Sequence, residues 1–477
     1  MIQLLIDFLA YSGPYSLRMK FIERNKALFK SVLIIAVPIM IQNGFTNFVN
    51  LLDNIMVGRL GTEPMSGVAI VNQLTFVFAL CIFGGFSGAG IFTAQYFGKN
   101  DAEGIRNTFR FKLILGAILT AAAVAVFLLF GDKLIGYFLS DSPDGGDLLA
   151  TLSYAEQYLR IMLIGLPAFA MVQAYASTLR ECGQTVVPMK AGVAAVLVNM
   201  VFNYLLIYGK LGFPALGVRG AAIATVLSRY VEVSIVMIWT HGKQNVVPFA
   251  KTLYRTLKVP KSLVGRIMSK GMILLINEAL WSLGMTLLTQ CYSTRGLNAV
   301  AGVNIANTLN NLFKVVFLAF GNSVGIMVGR LLGAGKLEEA RETDRKIIMF
   351  SVVISSFIGL LMMSVSPFFP RIYNTTDAAR AIAASLILVQ GITMPIEAFK
   401  NATYFTIRSG GRTFITFLFD GFSCIAVNFP IAFILSRFTN ASVLWIYISV
   451  QIGGLVKCIL GYILVKRGIW IRNIVTE

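Results

Sequence analysis

Asp53 stands inside an apolar run, NFVNLLDNIMVG, with Asn47, Asn50 and Asn54 close by in the chain. A charge deep in hydrocarbon costs roughly 2.5–3.5 kcal/mol or more, so every such residue is a functional candidate. Two readings fit Asp53: it takes up a proton or sodium ion outside and releases it inside, or neighbouring amides satisfy it and it holds a helix bundle together. Glu278, in LLINEALWSLG, is a second carboxylate at this depth, preceded by Asn277 and followed by Trp281. Oxygen ligands beside an aromatic wall could hold a cation there; a helix–helix hydrogen bond is the alternative. Glu397 follows Pro395, and a proline frees a backbone carbonyl that can coordinate a cation or accept a hydrogen bond. Lys400, three residues further on, lies on the same helix face and can simply neutralise Glu397. Asn199 and Asn203 fall one turn apart on one face; they could complete a cation shell for Asp53, or glue helices at about 0.6 kcal/mol each. Gln42, Asn43, Asn50, Trp281 and Lys400 are further candidates for lining a substrate cavity.

The elements that must position these residues are membrane helices. Hydrophobic residues make up 56% of the 477 and charged residues 13%, against roughly 25% charged in soluble domains. About twelve apolar stretches approach the ~20 residues needed to cross hydrocarbon. The expected fold is an all-α polytopic membrane protein. The chain also repeats itself. Residues 66–106 align without a gap to 301–341, matching Gly67, Asn72, Gly90 and Arg106 with Gly302, Asn307, Gly325 and Arg341. Residues 167–185 likewise align to 395–413, matching Pro167, Arg180 and Gly183 with Pro395, Arg408 and Gly411. Duplicated membrane units place a binding site between the halves, which makes transport the leading reading. The register shifts between the two echoes, so an external loop of the first half must be longer, and residues 134–150 are its expected place.

Lysine and arginine gather in alternate inter-helix segments: 18–30, 99–112, 180–190, 243–270, 330–346, 408–412 and 466–472. This asymmetry marks the cytoplasmic side and puts both termini there. The basic face also attracts anionic lipid headgroups, so the net charge of +19 needs no nucleic acid to explain it. Six spans per half give both halves the same orientation, with a pseudo-two-fold axis along the membrane normal. The expected organisation is a cytoplasmic segment over 1–30, an N-lobe over 31–239, a basic linker over 240–263 and a C-lobe over 264–477. Residues 1–18 lack a signal-peptide pattern and are expected to be an interfacial stub or to precede a true start at Met19. Five scattered cysteines without CxxC spacing read as small buried hydrophobes. The single histidine argues against an intramembrane enzyme and against His-ligated metal. Glycines at 84, 88, 321 and 325 have the small-residue spacing of close helix packing.

Three stretches carry a resemblance to a known family: VPIMIQNGFTNFVNLLDNIMVGRLGTEPMSGVAI, LRECGQTVVPM and the run over residues 199–225. In their order, and with the duplication, they resemble the multidrug and toxic compound extrusion (MATE) family, NorM-like branch, across nearly the whole chain. The resemblance implies twelve helices in two six-helix lobes and export of amphipathic, cationic compounds against sodium or proton entry by alternating access. It implies an inner-membrane location in a bacterium, a monomer, small-molecule and lipid partners, and no cofactor beyond the coupling ion. Asp53 matches the family's helix 1 acid, Asn199 and Asn203 its helix 5 polar pair, Thr225 a helix 6 hydroxyl and Glu278 the helix 7 glutamate. Sodium, if it is the ion, would sit at Asp53, Glu278 and Glu397. Glu397 replaces an aspartate of that branch, and with Lys400 beside it leaves the coupling ion open. A lipid-linked oligosaccharide flippase of the same superfamily is the alternative; it would need a basic cavity, and Lys314 and Lys400 are the obvious midmembrane lysines of the second half.

Overall fold

The computed structural model describes residues 15–139 and 147–476. Residues 1–14 and 140–146, which carry most of the N-terminal expectation and the centre of the expected long loop, lie outside the described residues. The apolar runs fold into helices because a chain in hydrocarbon must satisfy every backbone group internally. The first half holds α1 (Tyr15–Gly58), α2 (Thr62–Gly98), α3 (Ala102–Leu139), α4 (Leu148–Glu181), α5 (Val186–Tyr208) and α6 (Val218–Gly242). The second holds α7 (Lys261–Ser293), α8a (Leu297–Phe313), α8b (Val315–Gly333), α9 (Leu337–Val365), α10 (Asp377–Ser409), α11 (Thr413–Phe438) and α12 (Val443–Arg467). Among the described residues twelve helices are long and apolar enough to cross a membrane, and there is no strand. At 1.5 Å per residue, the 37 residues of α2 reach about 55 Å, well past a ~30 Å hydrocarbon core.

α11 is irregular for a readable reason. Pro430 offers no N–H to the carbonyl one turn back, and Leu418–Phe422 and Cys424–Asn428 just before it widen into π-helical turns.

The chain forms two compact units. One is Ile41–Glu278; the other joins Met1–Met40 to Ala279–Glu477. The divisions fall inside α1 and α7. In the second unit, Val32, Ile35, Ala36 and Ile39 of α1 share a buried cluster with Ala319, Phe320 and Val324 of α8b. In the first, α7 lies directly on α2: a Cβ on Gly88 would stand 2.5 Å from the Gly271 Cα, and one on Gly84 would stand 2.8 Å from the Leu275 Cα. Small residues thus let two backbones touch. Gly321 instead makes room for Asn401 and Phe405 of α10.

The core of the first unit runs through α2, α4 and α6 and continues into the basic linker, where Val247, Phe249 and Leu253 are buried. Arg106 and Arg110 of α3 tie that linker down by donating to the carbonyls of Phe249 and Leu253.

Candidate functional site

The α5–α6 turn explains how the first unit assembles its polar centre. Gly209 ends α5 in the left-handed conformation (φ +65°), which a side chain rarely adopts, and returns the chain sharply. Gly220 then lets α6 lie on the end of α5, since a Cβ there would fall 2.5 Å from the Leu206 carbonyl oxygen. This close approach sets Thr225 of α6 beside Asn199 of α5, whose Nδ2 donates to Thr225 Oγ1 at 3.3 Å. Asn203, one turn further along the same face, donates from Nδ2 to Asp53 Oδ1 at 2.5 Å and to Asn199 Oδ1 at 3.2 Å. Asn199 and Asn203 are buried and Asp53 is half-buried.

The Asn199 amide decides how this centre holds charge. It lies 2.9 Å from Asp53 Oδ1 and 3.2 Å from Oδ2 and, with its nitrogen turned to the carboxylate, donates to both. Asn203 Oδ1 is buried without a hydrogen-bond partner. Carboxylate, amide oxygens and a threonine hydroxyl thus meet within one small volume, a donor set suited to a hard cation.

These groups open onto a cavity of about 460 Å³ walled by all of α1, α2, α4, α5 and α6. Asn50, Asn54, Asn72 and Thr75 give it polar patches, and Phe76, Phe78, Met162 and Phe169 give it apolar ones. Of the substrate candidates, Asn50 lines it. Gln42 does not: it is buried and accepts from Arg180 at 2.9 Å. Asn43 is also absent from the cavity wall.

Glu278, the last residue of this unit, meets the Nδ2 of buried Asn277 at 3.5 Å, the long limit of a hydrogen bond. Trp281 and Glu397 belong to the other unit. There, Glu397 is ion-paired with Lys400, the neutralisation that their spacing allows. A second pair nearby in sequence, Lys457 with Asp420 at 3.2 Å, joins α12 to the π-helical part of α11.

Tyr158, Asp420 and Lys457 escaped the sequence reading, and Arg229, whose i,i+3 spacing with Glu232 marks an ion pair, was not expected on the cavity wall. Tyr158 of α4 lines the cavity with its hydroxyl in reach of Thr225, and only packing, not an apolar run containing one tyrosine, brings it there. Arg229 of α6 lines the cavity as well, holding Glu232 at 3.0 Å and lying 5.6 Å from the Phe169 ring centre. The i,i+3 ion pair was legible from spacing; its place on the cavity wall was not. Asp420 and Lys457 carried the same signal as the other intramembrane charges and could have been found by it. Among the described residues no cluster of three or more His, Cys, Asp or Glu could hold a metal.

Comparison with known proteins agrees with this architecture. The MatE family profile matches residues 38–205 and 273–434, one stretch in each half. A Thermotoga maritima relative named "Probable multidrug resistance protein NorM" is 24% identical over 466 residues, covering 97% of each chain. The Pseudomonas aeruginosa "Multidrug resistance protein PmpM" is 24% identical over 412 residues, 86% of this chain and 84% of that one. Among solved structures, an outward-facing multidrug resistance MATE family transporter of the MOP superfamily superposes with a TM-score of 0.82 at 22% identity, covering 92% of this chain and 95% of that one. A MOP superfamily transporter from Pyrococcus furiosus gives 0.79 at 22% identity with the same coverage. These likenesses establish the fold, while the profile match extends over more than half of the sequence. The chain belongs to the MATE family of transporters.

Proposed function

We propose that the protein is a multi-pass pump of a bacterial inner membrane that exports amphipathic, cationic organic compounds in exchange for a proton or sodium ion. The observation that carries this reading is the joining of Asp53, Asn199, Asn203 and Thr225 at one wall of a cavity of drug-sized volume. Its apolar and aromatic patches suit the body of an amphipathic compound, and its single unpaired acid suits a positive centre. Cation and drug therefore compete for one carboxylate. With a cation at Asp53 the charge of the site is cancelled and an organic cation loses its attraction; with the site empty, Asn199 and Asn203 hold the carboxylate ready.

Alternating access turns this competition into pumping. The inward movement of one positive charge gains about 2.3 kcal/mol per 100 mV of membrane potential, which the exit of a monovalent cation cancels, so in one-for-one exchange the ion's concentration gradient drives export. The coupling ion is the only auxiliary species in the scheme. Glu278 and Glu397 are further candidate contributors, the latter only if Lys400 releases it.

Efflux of a fluorescent organic cation from proteoliposomes, with sodium and pH gradients imposed separately, tests the reading. One gradient alone should drive efflux in the wild type, and neither should do so in Asp53→Asn. Coupled efflux by that variant at the wild-type rate would remove Asp53 from the mechanism.

A further inference from the structure

α9 meets α10 at a carboxylate that no part of the export scheme uses. Asp344 is fully buried. Its polar partner among the described residues is Thr406, whose Oγ1 lies 2.5 Å from Asp344 Oδ1; Oδ2 is buried with none. Thr406 Oγ1 also lies 3.0 Å from the Ala402 carbonyl. A hydroxyl has one hydrogen to give. If Asp344 were ionised, Thr406 would have to abandon Ala402 to donate to it, and a full charge would sit buried on a single hydrogen bond, which proteins avoid. With a proton on Oδ1 the count closes. The carboxyl O–H donates to Thr406 Oγ1, and the Thr406 hydroxyl donates to the Ala402 carbonyl.

The internal repeat makes the contrast plain. Thr406 falls on Thr178, and extension of the other echo puts Asp344 on Phe109. In the first half that position is a fully buried ring packed edge-on against Tyr175, centroids 4.7 Å apart. The most deeply buried charge of α3 is Lys112, and it brings its own compensation: Glu181 at 2.7 Å, Ser177 and Thr178 at 3.0 Å. Asp344 has no such counter-charge. The charged groups on the elements around it include Lys30 of α1, Arg330 of α8b, Arg408 and Arg412 of α10, Arg472 beyond α12, and Arg341, Glu342, Arg345 and Lys346 of α9 itself. Among the described residues none of them forms an ion pair with Asp344.

We propose that Asp344 is a proton-binding site, neutral in this structure, whose proton and the Thr406 hydroxyl together join α9 to α10. A sodium ion would need several oxygens, and among the described residues Thr406 Oγ1 is the one oxygen hydrogen-bonded to the carboxylate. The linkage has a definite sign: the bound proton stabilises the contact at low pH, and the stabilisation is lost as rising pH strips it.

Infrared spectroscopy of the full-length protein in proteoliposomes tests this independently of efflux and of Asp53. The wild type should show a protonated-carboxyl C=O band that disappears in Asp344→Asn. Thr406→Val keeps the carboxyl but removes its only partner, so the same band should move in frequency; this arm stands if Asp344→Asn does not fold. Thermal unfolding of the wild type should weaken as pH rises, insensitive to added sodium at fixed pH, and Asp344→Asn should flatten that slope because the amide imitates the protonated acid. A spectrum unchanged in both variants, or a wild type stabilised by sodium instead of by protons, would overturn the proposal.

Discussion

Asp53 shows how little a residue type says until its neighbours are placed. A carboxylate among amides is compatible with a structural bond or with ion exchange. What favours exchange is that Asp53, held by Asn203, stands on the wall of an open cavity where an ion can reach it. Asn203→Ala should therefore weaken coupling without abolishing it. It removes the 2.5 Å bond to a charged acceptor, an interaction worth about 1.5–3 kcal/mol, so cation affinity from efflux titrations should change by roughly tenfold or more. An unaltered affinity would mean that Asn203 merely packs. Lys112 presents the opposite case. Its ammonium is fully enclosed and compensated, so Lys112→Met should take away the 2.7 Å partner of Glu181 and cost about 3–5 kcal/mol in thermal or denaturant unfolding. The double variant with Glu181→Met should recover most of that loss; failure to recover would show that the lysine matters beyond its charge.

Helices here are positioned by the residues that are missing a side chain. Gly88 sets α7 against α2, and Gly220 sets α6 against α5, in each case with less than a methyl group's clearance from backbone. Backbone cannot rotate aside as a side chain does, so Gly88→Ala and Gly220→Ala should each cost about 1–3 kcal/mol, the usual scale of overpacking. The two should differ in consequence. Gly220→Ala displaces Thr225 and should impair coupled efflux more than its stability loss explains; Gly88→Ala should chiefly lower stability. Equal effects of both variants on efflux and on unfolding would deny α6 its positioning role. Gly90, by contrast, yields to a polar neighbour: a Cβ there would meet Glu181 Oε1 at 2.4 Å, in the Lys112 pair.

At the scale of the molecule, duplication supplies two similar scaffolds that the chain has equipped differently. The first unit concentrates its polar atoms around one cavity. The second pairs Glu397 with Lys400 and Asp420 with Lys457 and leaves Asp344 without a counter-charge. The charge asymmetry of the loops predicts that both termini face the cytoplasm with six crossings between the first terminus and the basic linker. Cysteine-accessibility mapping in intact cells checks this: positions 245 and 476 should label only after the membrane is opened, and position 211 without it. Labelling of 211 and 245 from the same side would overturn the count of spans.

Much of this was legible before folding. Length, hydropathy and the two echoes give twelve helices in a duplicated chain, because hydrocarbon allows no cheaper way to bury a backbone. Asp53, Asn199 and Asn203 stood out because polar atoms in an apolar run demand partners. What the linear order withheld is which partners they find. Tyr158 and Arg229 join the cavity, Gln42 turns to Arg180, and α1 and α7 are each divided between two compact units, all through contacts between distant residues whose geometry depends on how closely glycines let helices approach. Sequence determined the kinds of groups and the elements that carry them; only packing decided which acid was paired, which was caged by amides and which was left to hold a proton.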